Sequence, residues 1–337
     1  MIKETEKVQL LFDAPTHVYS DTKGRVYTSA TTVIGKYKKP FNKKYWGMYT
    51  MLKNKGIKVR PDGGKDKVIF ISGVPSKLSQ LWGYPSYAWE TEMLFAKWDK
   101  MTEDACDRGN EIHDYLEDSI NLSKDDVAAE SNDVIQPSLG TAMAGQDFVT
   151  IATRHDLDRT TIKERFPIVY FKLLKYINQG CTIFAEKKIY SSTYLIAGMI
   201  DVLIVKGKQF AILDWKTNKD EMHFQSGYYK KIQRNGIWIK SEQFLRTDNT
   251  LLAPLNHIAE CKGMVYTLQL SLYAFIMEMW GYTLVPDGLI ICHMRPGLEP
   301  KMVNIAYKQR EIQDMLNHHI GKVVTPKKKG LQFGIFK

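Results

Sequence analysis

The sequence predicts an α/β protein with a mixed central sheet flanked by helices and with helical additions on its N-terminal side. Three observations predict it. Apolar residues recur at helical spacing between 102 and 178; after Gly180 three short β-rich segments follow one another across turns; a strong helix, a strand and a closing helix come after them. The chain has 337 residues, 44% hydrophobic and 25% charged, which is ordinary for a globular protein and wrong for a disordered one. That length can bury a core without disulfide or metal staples.

Ser20-Asp21-Thr22-Lys23-Gly24 reads as a hairpin turn, and Tyr27 to Ile34 as a strand leading into a helix. Pro61, Pro75 and Pro85 with Gly63-Gly64 predict a loop-rich 61–100. Thr102-Glu103-Asp104 reads as a helix start, continued by Ala105, Gly109, Ile112, Leu116 and Ile120. Beyond the polar stretch 123–136, helices are predicted over 139–153 and over 167–178, the latter opened by Pro167. Strands are predicted over Thr182–Tyr190, Ala197–Val205 and Gln209–Trp215. Helix then follows over Lys262–Trp280, strand over Gly288–Met294 and helix over Lys308–His319. The expected division is 1–100 as an extension on the core and 101–337 as the core, with a polar, aromatic-bearing insertion at 217–262.

Several classes drop out. Met1 to Glu6 lack the apolar stretch of a secretory signal. No run approaches the ~18 apolar residues of a membrane span; Met264–Trp280 is broken by Thr267, Gln269, Ser271 and Glu278. Cys106, Cys181, Cys261 and Cys292 lie far apart without zinc spacing, so reduced and mostly buried thiols in a cytoplasmic protein are expected, host cytoplasm if the source is viral. A net charge of +10 favours an anionic partner, nucleic acid ahead of an acidic membrane surface.

The segment richest in chemistry is Gly198 to Val205, the turn Lys206–Gln209, and Phe210 to Lys216. If Val205 faces Phe210, the pairing carried back along both strands sets Asp201 opposite Asp214, with Cβ atoms about 4.5–5.5 Å apart. Lys216 shares their face. Two carboxylates so placed repel unless a cation intervenes, and oxygen ligands suit Mg²⁺ or Mn²⁺. The bland alternative is a surface hairpin with an Asp214–Lys216 ion pair.

Gly198-x-x-Asp201, then Asp214-Trp215-Lys216-Thr217, resembles the PD-(D/E)XK nuclease signature in its RecB-like exonuclease branch. Gly109-Asn110-Glu111-Ile112-His113 resembles that branch's Gly-x-x-x-His element, and Gln269-Leu270-Ser271-Leu272-Tyr273 its Gln-x-x-x-Tyr helix. The chain looks nearer to the phage and mitochondrial genome maintenance exonucleases than to helicase-fused forms, and no Walker A motif is present. The resemblance implies a restriction-endonuclease-like sheet and a metal-dependent deoxyribonuclease acting on DNA ends. Single-stranded DNA would be favoured, in phage-type replication, recombination or repair beside the proteins of those processes and away from membranes.

The resemblance makes His113, Asp201, Asp214 and the Trp215 carbonyl the ligands of Mg²⁺ or Mn²⁺. It makes Asp201, Asp214, Lys216, Gln269 and Tyr273 the catalytic group, with Glu186 as a supporting acid or a solvated charge. By spacing alone His113 reads more readily as a core histidine than as a ligand. The late cysteine group of the iron–sulfur relatives is missing, so no cluster is expected. For DNA contact, Lys38, Lys39, Lys43 and Lys44 alternate with Tyr37, Phe41, Tyr45 and Trp46, as do Lys230, Lys231 and Arg234 with Tyr229. Aromatic residues near a chain start are more often core than stacking platform. A non-catalytic nucleic-acid-binding module and a structure-specific endonuclease, with RNA as an alternative substrate, are the competing readings.

Overall fold

A computed structural model describes residues 8–13, 15–63, 67–120, 150–151, 157–158, 160–234 and 237–324. The protein is α/β, built on a mixed sheet of nine strands among the described residues. Two compact units form, one of Lys39–Glu111 and one of Met1–Lys38 with Ile112–Lys337.

The larger unit begins with strands. β1 (Leu10–Asp13), β2 (Val18–Asp21) and β3 (Val26–Ser29) form an antiparallel meander, and β3 then joins the main sheet. The expected N-terminal helical additions are therefore preceded by sheet. The turn at 21–25 is held by Asp21, whose carboxylate accepts from the Lys23, Arg25 and Tyr27 groups. α1 (Ala30–Gly35) follows at once, capped by Ser29 Oγ on the Thr32 N–H.

In the smaller unit, α2 (Lys43–Asn54), the sheet β4 (Val59–Pro61), β5 (Val68–Ile71), β6 (Val74–Lys77), and α3 (Leu78–Trp82) enclose Tyr45, Met48, Leu52, Ile69 and Leu81. The region expected to be loop-rich is thus largely ordered elements. Pro61 ends β4, Pro75 lies on the edge strand β6, and Pro85 is the first residue of α4 (Pro85–Ile120), all positions that proline tolerates. The predicted helix start at Thr102 is corrected. Residues 85–120 are one helix of 36 residues, and the Thr102 hydroxyl bonds back to the Trp98 carbonyl at 3.0 Å instead of capping. The expected division at residue 100 falls inside this helix.

The rest of the main sheet comprises β7 (Thr150–Ile151), β8 (Thr182–Ser191), β9 (Ile196–Lys206), β10 (Gln209–Lys216), β13 (Thr283–His293) and β14 (Lys301–Asn304). β8, β9 and β10 pair antiparallel, and β10 pairs parallel with β13. A hairpin of β11 (Gly227–Arg234) and β12 (Ile237–Arg246) occupies the insertion, followed by α7 (Lys262–Met279). Alternate residues serve the two faces. Leu203, Val205, Phe210, Ile212, Leu289 and Ile291 pack under α1, α7 and α8 (Gln309–Val324). Val202, Ile204, Ala211, Leu213, Trp215, Ile290 and Cys292 pack under Leu116 and Ile120 of α4, α5 (Ile162–Arg165) and α6 (Pro167–Asn178). Burial on both faces explains why these strands read as unbroken apolar runs.

α7 is buried nearly all round. Two expectations need adjusting. Only Cys292 of the four thiols is buried, and Cys106 is exposed. Of the predicted 139–153 helix, Thr150–Ile151 is strand and the described chain contains nothing else of it; that remainder and the 123–136 stretch lie outside the described residues.

Candidate metal centre

The β9–β10 register is the predicted one. Val205 faces Phe210, and the ladder runs back to Val202 opposite Leu213. It stops one pair short of Asp201 and Asp214. There the Asp201 carboxylate takes the place of a backbone partner, accepting the Trp215 N–H on Oδ2 at 2.7 Å. The next residues of β10 keep their parallel pairing to β13, Trp215 with Cys292 and Lys216 with His293.

Side-chain alternation slips at the same place. On β9, Ile196 and Ile200 face the α7 side, yet so do Leu203 and Val205, three and five residues on. The β8–β9 register is unchanged across the slip, from Ala185 opposite Val202 to Lys187 opposite Ile200, and the pair between them is Glu186 and Asp201. Glu186 has φ +45°, a left-handed conformation that costs a non-glycine residue about 1–2 kcal/mol. The slip turns both carboxylates out of the alternating pattern and toward α4. His113, Glu186 and Asp201 each bring one ligand atom within 4.8 Å of the others, and His113 Nδ1 stands 3.8 Å from Asp201 Oδ2.

Asp214 is 1% exposed, and neither of its oxygens makes an aligned hydrogen bond. Its neighbour is the Lys216 ammonium, 2.5 Å from Oδ2. Burial and then the Asp201 charge push the Asp214 carboxyl up to about 6. Burial likewise raises Asp201, against the pull of Lys216 and the Trp215 N–H. Glu186 is raised well above its ordinary range by burial and by Asp201, Glu117, Asp214 and Asp114. Burial pulls Lys216 down, but Asp214 and Asp201 outweigh it and hold the ammonium charged. Burial and the Lys216 charge lower His113, leaving a neutral imidazole able to ligate.

The remaining residues of the sequence pattern support this group. The Tyr273 ring lies against Gly198, where an added Cβ would come within 2.5 Å of it. Gln269 Nε2 donates to Tyr273 Oη at 3.0 Å. The two polar residues therefore bond each other, and through Gly198 they bear on the strand that carries Asp201. Trp215 has its indole in the core, and its backbone favours a charged His113 as a carbonyl acceptor would.

Tyr266 and Glu117 escaped the sequence reading. The Lys216 ammonium lies 4.8 Å from the Tyr266 ring centre, and Tyr266 Oη donates to Asn218 Oδ1 at 2.8 Å. His293 Nε2 holds the Asn218 carbonyl at 3.0 Å. A signal existed for both residues: Tyr266 is three and seven residues before Gln269 and Tyr273 on one helical face, and Glu117 is four after His113.

The basic residues fall on two segments, one at and before α2 and one on β11. In the 36–46 stretch, Tyr37 and Tyr45 are buried and Trp46 packs on the core of its unit, leaving Phe41 as the exposed ring at 67%. The interleaved pattern there is largely core, because Asn42 caps α2 and turns one face of the helix inward. Lys38, Lys39 and Lys44 are exposed, while Lys43 pairs with Asp99 at 2.6 Å. Lys230, Lys231 and Arg234 are exposed on β11, with Tyr229 half-buried beside them.

A divalent cation fits these residues. Ligand atoms on opposite sides of an ion with bonds near 2.1 Å are about 4.2 Å apart, close to the observed spread. Asp214 is buried with Lys216 as its one close charge partner among the described residues, and the donor set of carboxylates plus one imidazole suits Mn²⁺ or Mg²⁺. Compared with protein-family models, with curated proteins and with solved structures, the chain finds no match in any of the three.

Proposed function

We propose that the chain is a divalent-metal-dependent deoxyribonuclease of the PD-(D/E)XK kind, an exonuclease acting on DNA ends in phage-type replication, recombination or repair. The observation that carries the reading is the convergence of His113, Glu186 and Asp201 beside the buried Asp214 carboxylate, which is paired with Lys216. The order helix, three antiparallel strands, helix, and a strand parallel to the third supports a restriction-endonuclease-like core. The preference for ends rests on the sequence resemblance.

His113, Glu186, Asp201, Asp214 and the Trp215 carbonyl would hold the cation, which when bound lowers the pKa of water and polarises a phosphoryl oxygen. The chain's own contribution is orientation and charge. The Trp215 N–H fixes one oxygen of Asp201. Lys216, held charged between Asp214 and the Tyr266 ring, is an electrostatic stabiliser of the phosphoryl transition state and not a base. Tyr266 and His293 hold Asn218, so the backbone that follows Lys216 is fixed as well.

The test is cleavage of end-labelled linear single-stranded and duplex DNA, with closed circles alongside, in Mn²⁺ or Mg²⁺, by wild type and Lys216→Ala. Cation-dependent loss of linear DNA by wild type, lowered at least about 100-fold in the variant, is expected. Cutting of circles would replace exonuclease by endonuclease. Binding without cleavage in either metal would sink the catalytic reading and leave a binding module.

A further inference from the structure

Asn218 stands two residues beyond Lys216, a reach of about 7 Å along extended backbone. It also lines a cavity of about 460 Å³ between the insertion and the start of α7. The 221–223 segment lies directly on that helix, since a Cβ at Gly263 would come within 2.5 Å of the His223 carbonyl. On the far side is the hairpin β11–β12. Its wall is aromatic and fixed: the His223 ring stacks on Phe244 at 3.9 Å and 16°, and His223 Nε2 bonds Tyr229 Oη at 2.7 Å.

The rim differs from the wall. Tyr228 lines the cavity yet is 58% exposed. Lys231 faces Lys240 directly across the ribbon, an arrangement of like charges that is unfavourable without an anion near it. Lys240 is taken up by Asp220 and by the Tyr229 ring, 3.7 Å away, whereas Lys231 has no ion-pair partner among the described residues. Asn218 and Gln225 add amide edges to the lining.

These parts match the parts of a nucleotide. An exposed ring offers a stacking face, amides read base edges, and a lysine meets a phosphate. The volume suits one small ligand, too little for a base pair. We propose that this cavity takes one unpaired nucleotide of a DNA strand whose backbone passes Lys216, with its base stacked on Tyr228. The proposal rests on the nuclease reading for its neighbour and gives that site a preference for unpaired over paired ends.

The test is fluorescence anisotropy of the full chain in EDTA with two labelled single strands of equal length, one of thymidines and one of abasic sugars. Wild type is expected to bind the thymidine strand about tenfold more tightly, a typical stacking effect. Tyr228→Ala should shrink that preference at least threefold and leave abasic binding unchanged, and Tyr228→Phe should restore it. Because Tyr228 is exposed, the substitution spares the fold. A preference unaltered by Tyr228→Ala, or no preference in wild type, overturns the proposal. Cleavage in Mn²⁺ is scored in parallel. Cleavage with an unaltered preference refutes the cavity alone, and an altered preference without cleavage refutes the nuclease reading alone.

Discussion

Gly198 and Tyr273 are the pair whose contact ties the strand that carries Asp201 to the Gln-x-x-x-Tyr helix. An alanine at 198 would drive its methyl into the Tyr273 ring, and neither the strand nor the buried helix can retreat easily. Gly198→Ala should lose about 1–3 kcal/mol, an overpacking cost, seen as a lower denaturation midpoint. Combined with Tyr273→Leu it should cost less than the two changes summed; strict additivity would show that the contact is not the cause. Asp214 gives a second residue-scale prediction. Without cation its folded pKa, about 6, exceeds the ordinary 3.8, so the native state holds the proton more tightly. That contribution is full below pH 3.8 and is lost as pH rises through 6. Asp214→Asn should therefore gain on EDTA-treated wild type in Tm as pH is raised from 4 to 7. A gap that does not change with pH would contradict this.

Among elements, strands β8 to β10 and helix α7 were legible because their signals are local: apolar runs, a short turn and a fixed register. The register alone puts Asp201 and Asp214 at one end of one hairpin. The slip at Glu186 was not legible, because a left-handed residue in a strand leaves no mark in a side-chain pattern. It is also what turns Glu186 from an ambiguous charge into a member of the cluster. α4 was misread because Pro85 signals a loop as readily as a first turn, and Thr102 a cap as readily as a back-bonded interior residue. The β2–β3 turn was legible from Ser20–Gly24, but its anchor was not. Four donors converge on Asp21 and, against burial, lower its carboxyl to about 2. Asp21→Ala should cost about 1–3 kcal/mol at pH 7, since Tyr27 Oη loses its acceptor inside the fold. The stabilisation is present above pH 4 and fades as pH falls through 2, so the wild-type advantage should narrow in acid urea melts. An advantage that persists at pH 2 would argue against the carboxylate as the anchor.

At the scale of the whole molecule, no helix among the described residues is long and apolar enough to cross a membrane, and the chain carries a net +10. Against that positive background the candidate site gathers Glu186, Asp201 and Asp214 with one lysine. A phosphate drawn in by the surface would be repelled by bare carboxylates there. A cation standing between would remove that repulsion, and the cleavage proposed for the site depends on that ion. The most direct measurement is calorimetric titration of Mn²⁺ into EDTA-stripped, dialysed wild type and Asp201→Asn, each followed by thermal melting. Wild type should bind saturably and gain about 2.7 kcal/mol at a free concentration 100 times Kd, with Asp201→Asn losing most of both effects. No saturable binding and no shift in Tm at millimolar Mn²⁺ would contradict the metal centre and the nuclease built on it.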